Sequence, residues 1–423
     1  MMEKWLIVGS GGREYAMAKL LARIPDRTIF VAPGNPMMNK IQNVSTIAIN
    51  ETDVSALATF AKEIGATCTL VGPEVPLSKG IVDEFKLQDL PIFGPTQSAA
   101  RLESSKDFAK SIMQRAGVKT AQHQSFTTVE AAQDYLKTQS LPIVIKADGL
   151  ASGKGVIIAQ TKAQADEAVT ELLTNGSHSS ILIEEFLDGE EFSLFVMANG
   201  EQLMTMPPSQ DHKRLLDNDE GPNTGGMGAY SPVPQITTSI QEQAVNEVIK
   251  PVLRQMVKEG HPFTGFLYAG LIITVSGIQV IEFNVRMGDP ETQVVLPQLE
   301  SDLGQAITSL LANRTSHLIW QDNEFYIGSV VASVGYPKKV LDSQALPIFD
   351  ETVTIDYAGV KEINHQFVSS GGRILMAIAH DENLAHAQSK VNRALEKSVN
   401  TDFYHYRTDI GSKGIKFLSS EKV

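Results

Sequence analysis

The sequence predicts a multidomain chain of α/β and α+β class, on three observations. Over residues 1–95 short apolar runs alternate with helical spacing, the mark of right-handed crossovers in a mostly parallel sheet. At 143–158 two apolar runs are joined directly by a glycine-rich turn, which reads as an antiparallel pair. The last hundred or so residues carry short strand-like runs and one helical stretch, a small α+β unit. At ~150 residues per domain, a length of 423 suggests two to four domains. The breaks in pattern place them at 1–103, 104–325 and 326–423.

Trp5–Val8, Thr28–Val31, Thr69–Val71 and Pro91–Phe93 are predicted as buried strands, each ending in Gly or Pro punctuation, with helices at 13–23, 53–64 and 77–87. Helices at 104–116 and near 128–138 precede the strands Ile143–Lys146 and Val156–Ile158. A helix at 163–174 and a strand Ile181–Phe186 follow. Residues 207–234 hold five prolines and no period, so the segment is predicted to be structureless, a length that marks functional or disordered chain. Beyond it come a long helix (236–258) and strands at 266–275 and 278–285. The C-terminal unit is assigned strands at 327–334, 366–369 and 373–379 and a helix at 382–397.

Composition excludes several classes. Lys and Arg total 36 against 49 Asp and Glu, a net charge of −13, the wrong sign for a nucleic-acid binder. One cysteine, Cys68, allows neither an internal disulfide nor a cysteine-built zinc site. The N-terminal apolar run is too short for a signal peptide, and no stretch reaches ~18 apolar residues; the expectation is a soluble cytoplasmic protein without membrane partners. There is no H-E-x-x-H and no G-x-S-x-G. Of the nine histidines only His212, in Ser209-Gln-Asp-His-Lys-Arg214, sits in a dense polar cluster.

Two glycine loops invite phosphates. Gly9-Ser-Gly-Gly-Arg-Glu14 opens a helix after the first strand, but a dinucleotide fingerprint would need glycine at Glu14 and an acidic residue after the second strand. A tight turn, or an anion on the helix N-terminus beside Arg13, remains. Lys146-Ala-Asp-Gly-Leu-Ala-Ser-Gly-Lys-Gly155 fails the Walker A pattern, because its glycines are one residue too close and Gly155 replaces Ser/Thr. It reads as a glycine hairpin able to close over phosphates with Lys146 as a fixed cation, or as a surface hairpin with incidental lysines.

The carboxylates form a second constellation. In Ile281-Glu-Phe-Asn-Val-Arg286 a period of two puts Glu282, Asn284 and Arg286 on one face and Ile281, Phe283 and Val285 on the other. Glu and Asn oxygens suit Mg²⁺ and a guanidinium suits a carboxylate or phosphate; a solvated amphipathic strand would share the alternation. The turn Gly288-Asp-Pro-Glu-Thr-Gln293 adds carboxylates. Glu184 and Glu185 end a strand whose free backbone groups would read an adenine edge, and the segment reads equally as an acidic solvated turn.

Strand-borne lysine, glycine hairpin, Glu-Glu-x-Leu and Glu-x-Asn-x-Arg, in that order, resemble the ATP-grasp fold. Longer stretches are similar to the phosphoribosylamine–glycine ligase family. They are Gly-Gly-Arg-Glu (11–14), Ala-Pro-Gly-Asn (32–35), Val-Gly-Pro-Glu (71–74), Ile-Lys-Ala-Asp-Gly-Leu-Ala (145–151), residues 209–214, Gly-Pro-Asn-Thr-Gly-Gly-Met-Gly-Ala-Tyr-Ser-Pro (221–232) and 288–293. The resemblance implies joining of glycine to 5-phosphoribosylamine with ATP, through glycyl phosphate, in purine synthesis. It also implies a lid subdomain at about 120–192, a central domain at 193–325, and a monomer or weak homodimer. Carried over by motif, Lys106, Lys146 and the hairpin residues Gly153, Lys154 and Gly155 would hold ATP phosphates. Glu184, Glu185, Phe186 and Leu187 would read adenine, and Glu191 ribose. Glu282 and Asn284 would bind Mg²⁺ (or Mn²⁺), with Arg286 on the reacting group. Gly11, Gly12, Arg13 and Glu14 would take the substrate phosphate. Asp211, Lys213, Gly288, Asp289, Pro290 and Glu291 would line the glycine and amine sites. The chain departs from the family at Tyr15 (usually histidine), Met287 (usually phenylalanine) and 412–414, which lack the usual arginine. No acidic residue lies in 266–275 to serve as the second metal ligand, so Glu282 would bridge two ions or Asp289 would contribute. A sister ATP-grasp purine ligase with another acid substrate is the alternative.

Overall fold

The structure is a computed structural model describing residues 2–150, 155–175 and 179–420. Its first sheet is parallel throughout, with β1 (Glu3–Gly9) flanked by β2 (Arg27–Pro33) and β4 (Cys68–Val71), and with β3 (Val44–Thr46) and β5 (Ile92–Phe93) at the edges. The sheet is buried because helices cover it, which is why its strands read as continuous apolar runs. β3 escaped the sequence reading, being three residues of ordinary polarity. The helices α1 (Gly12–Leu21) and α2 (Val54–Ile64) fall where the spacing placed them. The helix expected over 77–87 is instead α3 (Glu74–Ser78) and α4 (Ile81–Leu87), separated at Gly80, whose φ of +81° leaves the helical region.

The helix expected at 104–116 is α6 (Lys106–Ala116), preceded by a separate short helix, α5 (Arg101–Ser104). Ser105 between them is extended, and its hydroxyl accepts from the Phe108 N–H, capping α6. Next comes a four-stranded antiparallel sheet of β6 (His123–Phe126), β7 (Ile143–Ala147), β8 (Val156–Ala159) and β9 (Ile181–Glu185), in the order β6-β9-β7-β8. The glycine turn does join an antiparallel pair. α7 (Val129–Leu136) and α8 (Lys162–Thr170) cover this sheet, and its apolar core, from Phe126 to Ile183, is a cluster separate from the rest of the molecule.

The central sheet runs β11-β10-β16-β17, with β10 (Glu190–Asn199), β11 (Gln202–Thr205), β16 (Thr264–Thr274) and β17 (Gly277–Asn284), all antiparallel. Residues 207–234 are not structureless, contrary to the sequence reading. They form β12 (Gln210–Asp211), β13 (Arg214–Leu216), β14 (Glu220–Asn223) and β15 (Gly228–Ser231). Runs of two to four residues are too short to show a period. β12 and β15 join β18 (Phe325–Ser333), β22 (Arg373–Asp381) and β19 (Thr354–Tyr357) in one sheet, so this sheet crosses residue 325. β20 (Val360–Ile363) and β21 (Gln366–Ser369) form a separate antiparallel hairpin, and β23 (Tyr404–His405) pairs with β18. The helix expected at 236–258 runs from Thr238 to Lys258 with a π-helical turn at Val245–Ile249, just before Pro251, which has no N–H to donate.

Among the described residues no helix is long and apolar enough to cross a membrane.

Candidate active site

A β-bulge shapes the strand that carries the site. In β17 the pairing shifts between Gly270↔Glu282 and Leu271↔Val280, leaving Ile281 as the extra residue. Up to Val280 the even-numbered residues are buried, and from Phe283 the odd-numbered ones are. The sequence reading that grouped Ile281 with Phe283 is therefore corrected, because the bulge takes Ile281 out of the alternation and leaves it half-buried, like Glu282, while Phe283 is buried. Freed from the ladder, its carbonyl accepts from Lys146 Nζ at 3.2 Å.

The cavity has a volume of about 400 Å³ and lies between the three regions of the chain. Of the residues singled out in the sequence, Arg13, Lys106, Lys146, Gly155, Glu184, Asp211, Lys213, Glu282, Asn284, Arg286, Asp289 and Glu291 line it. Gly11, Gly12, Glu14, Glu185, Phe186, Leu187, Glu191, Gly288 and Pro290 do not. Gly153 and Lys154 lie outside the described residues.

At one end the cations gather. Lys146, at the end of β7, reaches Glu184 Oε2 at 2.7 Å, and Lys110 reaches the other oxygen at 3.1 Å. All three are buried. Burial would raise Glu184, but Lys146 and Lys110 outweigh it and hold the carboxyl below its usual range. Burial depresses Lys110 to about 8. Lys106 donates to the Gly149 carbonyl at 2.9 Å, and its own N–H to Asp148 at 2.6 Å, tying α6 to the glycine hairpin. Glu282 faces this group. Burial again works to raise it, and Lys213, Lys146, Lys106 and Arg286 together keep it ionised below the usual range.

At the other end the carboxylates are individually held. Asp289 accepts from Arg373 at 3.0 Å and from Gln293 at 2.7 Å; burial opposes its ionisation, but Arg373 and Arg13 prevail. Burial pushes Glu291 up to about 7, with Asp211 adding to the rise and Lys213 opposing it. The 221–228 loop presses on the 288–291 turn. At Gly226, φ +112°, a Cβ would fall 2.4 Å from Pro290, so only glycine fits.

The anion cradle expected at Gly11 and Gly12 is partly taken up within the chain. The Gly11 N–H donates to Glu14 Oε2 at 2.6 Å, and Gly12 is pressed against Gln293. Glu14 is itself buried in a slot where a Cβ at Gly72 would lie 1.7 Å from its carboxylate, so the helix N-terminus carries its own anion. Arg13 still lines the cavity, bonded to Glu14 and to the Met287 carbonyl. Tyr15 points elsewhere, stacking edge-on against Tyr357 at 5.8 Å in the core. Met287 is fully buried. Lys413, near the place of the missing arginine, pairs with Asp219 at 3.1 Å.

Sequence reasoning missed Glu74, Glu103, Lys110, Tyr268 and Arg373, all of which line the cavity. Glu74 ends the 71–74 stretch and Glu103 stands three residues before Lys106, so the signal that could have found them was their closeness to residues already singled out. Arg373 comes from the C-terminal unit, and nothing local marks it. Among the described residues no three His, Cys, Asp or Glu side chains cluster as a metal site. Glu282 and Asn284 offer two hard oxygens on one side of a strand, a set that fits a divalent cation completed by phosphate oxygens.

Known proteins share this architecture. Residues 3–103, 104–292 and 326–413 match, respectively, the N domain, the ATP-grasp (A) domain and the C domain of phosphoribosylglycinamide synthetase. The chain is similar to the phosphoribosylamine–glycine ligase of Lactococcus lactis, 47% identical over 414 residues, covering 97% of this chain and 100% of that protein. The Streptococcus pneumoniae ligase is likewise 47% identical, over 98% of this chain and 100% of that protein. Among solved structures, the phosphoribosylamine–glycine ligase of Thermotoga maritima superposes with a TM-score of 0.83 at 32% identity, covering 96% of this chain and 100% of that one.

Proposed function

Because the chain belongs to the phosphoribosylglycinamide synthetase family, we infer that the cavity between its three regions is where glycine is joined to 5-phosphoribosylamine with ATP. The protein is an ATP-dependent carbon–nitrogen ligase of purine biosynthesis.

A carboxylate is a poor acyl donor. A glycine carboxylate oxygen first attacks the γ-phosphorus of ATP, breaking its bond to ADP. The amine nitrogen of phosphoribosylamine then attacks the acyl carbon and phosphate leaves. The first step brings two anions together, so the site must supply positive charge rather than a protein nucleophile. Lys106, Lys146 and Lys213, facing Glu282, are that supply. Glu282 and Asn284 would hold a divalent cation, Mg²⁺ or Mn²⁺, which when bound neutralises phosphate charge. Arg286 offers a fork to the reacting carboxylate or phosphoryl oxygens. The amine loses a proton as the amide forms, and Glu291, titrating near neutrality, is the lining carboxylate suited to take it. With the Gly11 N–H engaged by Glu14, the lining cations offered to the substrate phosphate are Arg13 and Arg373, paired with Glu14 and Asp289 respectively.

Residues 1–103, 104–325 and 326–423 are our division of the chain, which we read as a cytoplasmic monomer or weak homodimer. The observation that carries the assignment is Glu282 set among lysines, with Asp211, Asp289 and Glu291 lining the same cavity. The test is ADP release from Mg-ATP with phosphoribosylamine generated in situ, with and without glycine. Release requiring both substrates, with glycinamide ribonucleotide seen by mass spectrometry, is expected. Release without glycine would sink the glycine assignment.

A further inference from the structure

Glu103 opens the segment Glu103-Ser-Ser-Lys106, three residues ahead of a lysine that faces Glu282. It is buried, and its two carboxylate oxygens are divided between two donors on neighbouring residues. Oε2 accepts the Val285 N–H at 2.8 Å, just past the end of β17, and Oε1 accepts Arg286 Nη2 at 2.8 Å. The remaining contacts of that guanidinium are longer. Nη1 meets the Met287 carbonyl at 3.3 Å, Nη2 also meets Asn284 at 3.3 Å, and Nε stands 3.5 Å from Glu74. Nε is buried without a hydrogen-bond partner among the described residues.

We propose that Glu103 is the positioning residue for Arg286. One oxygen is fixed to the backbone where β17 ends, and the other therefore sets the plane of the fork. With Nη2 held by Glu103 and Nε buried against Glu74, the part of the guanidinium that lines the cavity, at Nη1 with its one long bond to the Met287 carbonyl, is left to meet the reacting anion. The inference rests on the reading that Arg286 touches that anion. α5 and α6 meet at Ser105, so the break that places Lys106 on one side places Glu103 on the other.

The test is a double-mutant cycle in the full-length enzyme. An amide has one acceptor oxygen, so Glu103→Gln cannot serve both donors. Misplacing a reacting group's partner costs up to roughly a hundredfold. Glu103→Gln is expected to lower kcat by about tenfold to a hundredfold, with the KM for ATP within about twofold. In an Arg286→Lys background, which keeps charge but has no fork, the same change is expected to cost about twofold or less. Wild-type kinetics in Glu103→Gln, or the same loss in both backgrounds, overturns the proposal, the second result reducing Glu103 to a support for Val285. Unchanged turnover in Arg286→Lys alone overturns the reading of Arg286 beneath it. If Glu103→Gln does not fold, Glu103→Asp, which withdraws the charge by about one methylene, runs the same cycle.

Discussion

Glu282 shows how a single side chain is fitted to its task by its neighbours. Burial would protonate it, and four cations keep it charged, so the residue stands ready to bind a metal ion. Glu282→Ala is expected to abolish ATP turnover while circular dichroism remains that of the wild type; near-normal turnover would remove it from the metal site. His212 is the reverse case. It is buried, its Nε2 accepts the Gly411 N–H at 3.4 Å, and Nδ1 has no partner among the described residues. Burial, then Arg407, depress it to about 4, against the pull of Asp219 and Asp211, with Lys413 on the side of Arg407. A depressed folded-state pKa gives stability that is present above ~6.5 and is lost as pH falls toward 4. Between pH 7 and 4.5 the wild type should lose about 2–3 kcal/mol more than His212→Gln in urea unfolding. Equal losses would show that His212 is not the group responsible.

Among the elements, β17 explains both what the sequence revealed and what it hid. Alternation in Glu282-Phe-Asn-Val-Arg286 was legible because those residues follow the bulge; the bulge was not, since an extra residue leaves no mark on composition. The parallel sheet and the β7–β8 hairpin were legible for the same reason, long apolar runs with clear punctuation. The strands in 207–234 were not, because they are held from outside. Arg407, fully buried, takes both oxygens of Asp409 at 2.8 Å and reaches the Arg214 carbonyl and Asp219 at 3.0 Å, latching the β13–β14 hairpin to the C-terminal segment. Removing Ile281 altogether should restore a regular ladder, since Val280 and Glu282 already pair with adjacent residues of β16. Every other residue keeps its face, and only the carbonyl that anchors Lys146 is lost. The deletion variant is expected to melt within a few degrees of wild type and to bind ATP about tenfold or more weakly, as measured by calorimetry. Wild-type affinity would show that the bulge does not serve Lys146.

Across the whole molecule, the unit of β6–β9 has a core of its own, while residues from the first sheet, the central sheet and the C-terminal unit share one continuous cluster. A unit with a separate core opens and moves separately. Its amides are expected to exchange faster than those of β16 and β17 and to gain protection with Mg-ATP. Equal protection, unchanged by nucleotide, would mean the unit is not a lid. The shared sheet has the opposite consequence, for anyone wishing to dissect the chain. β18 pairs on one side with β22 and on the other with β15, which lies almost a hundred residues earlier. A fragment begun at residue 326 would carry an unpaired strand edge of apolar residues, the template on which chains stack into aggregates. Adding residues 207–234 in trans as a peptide should return it to solution, and the peptide without β15 should not.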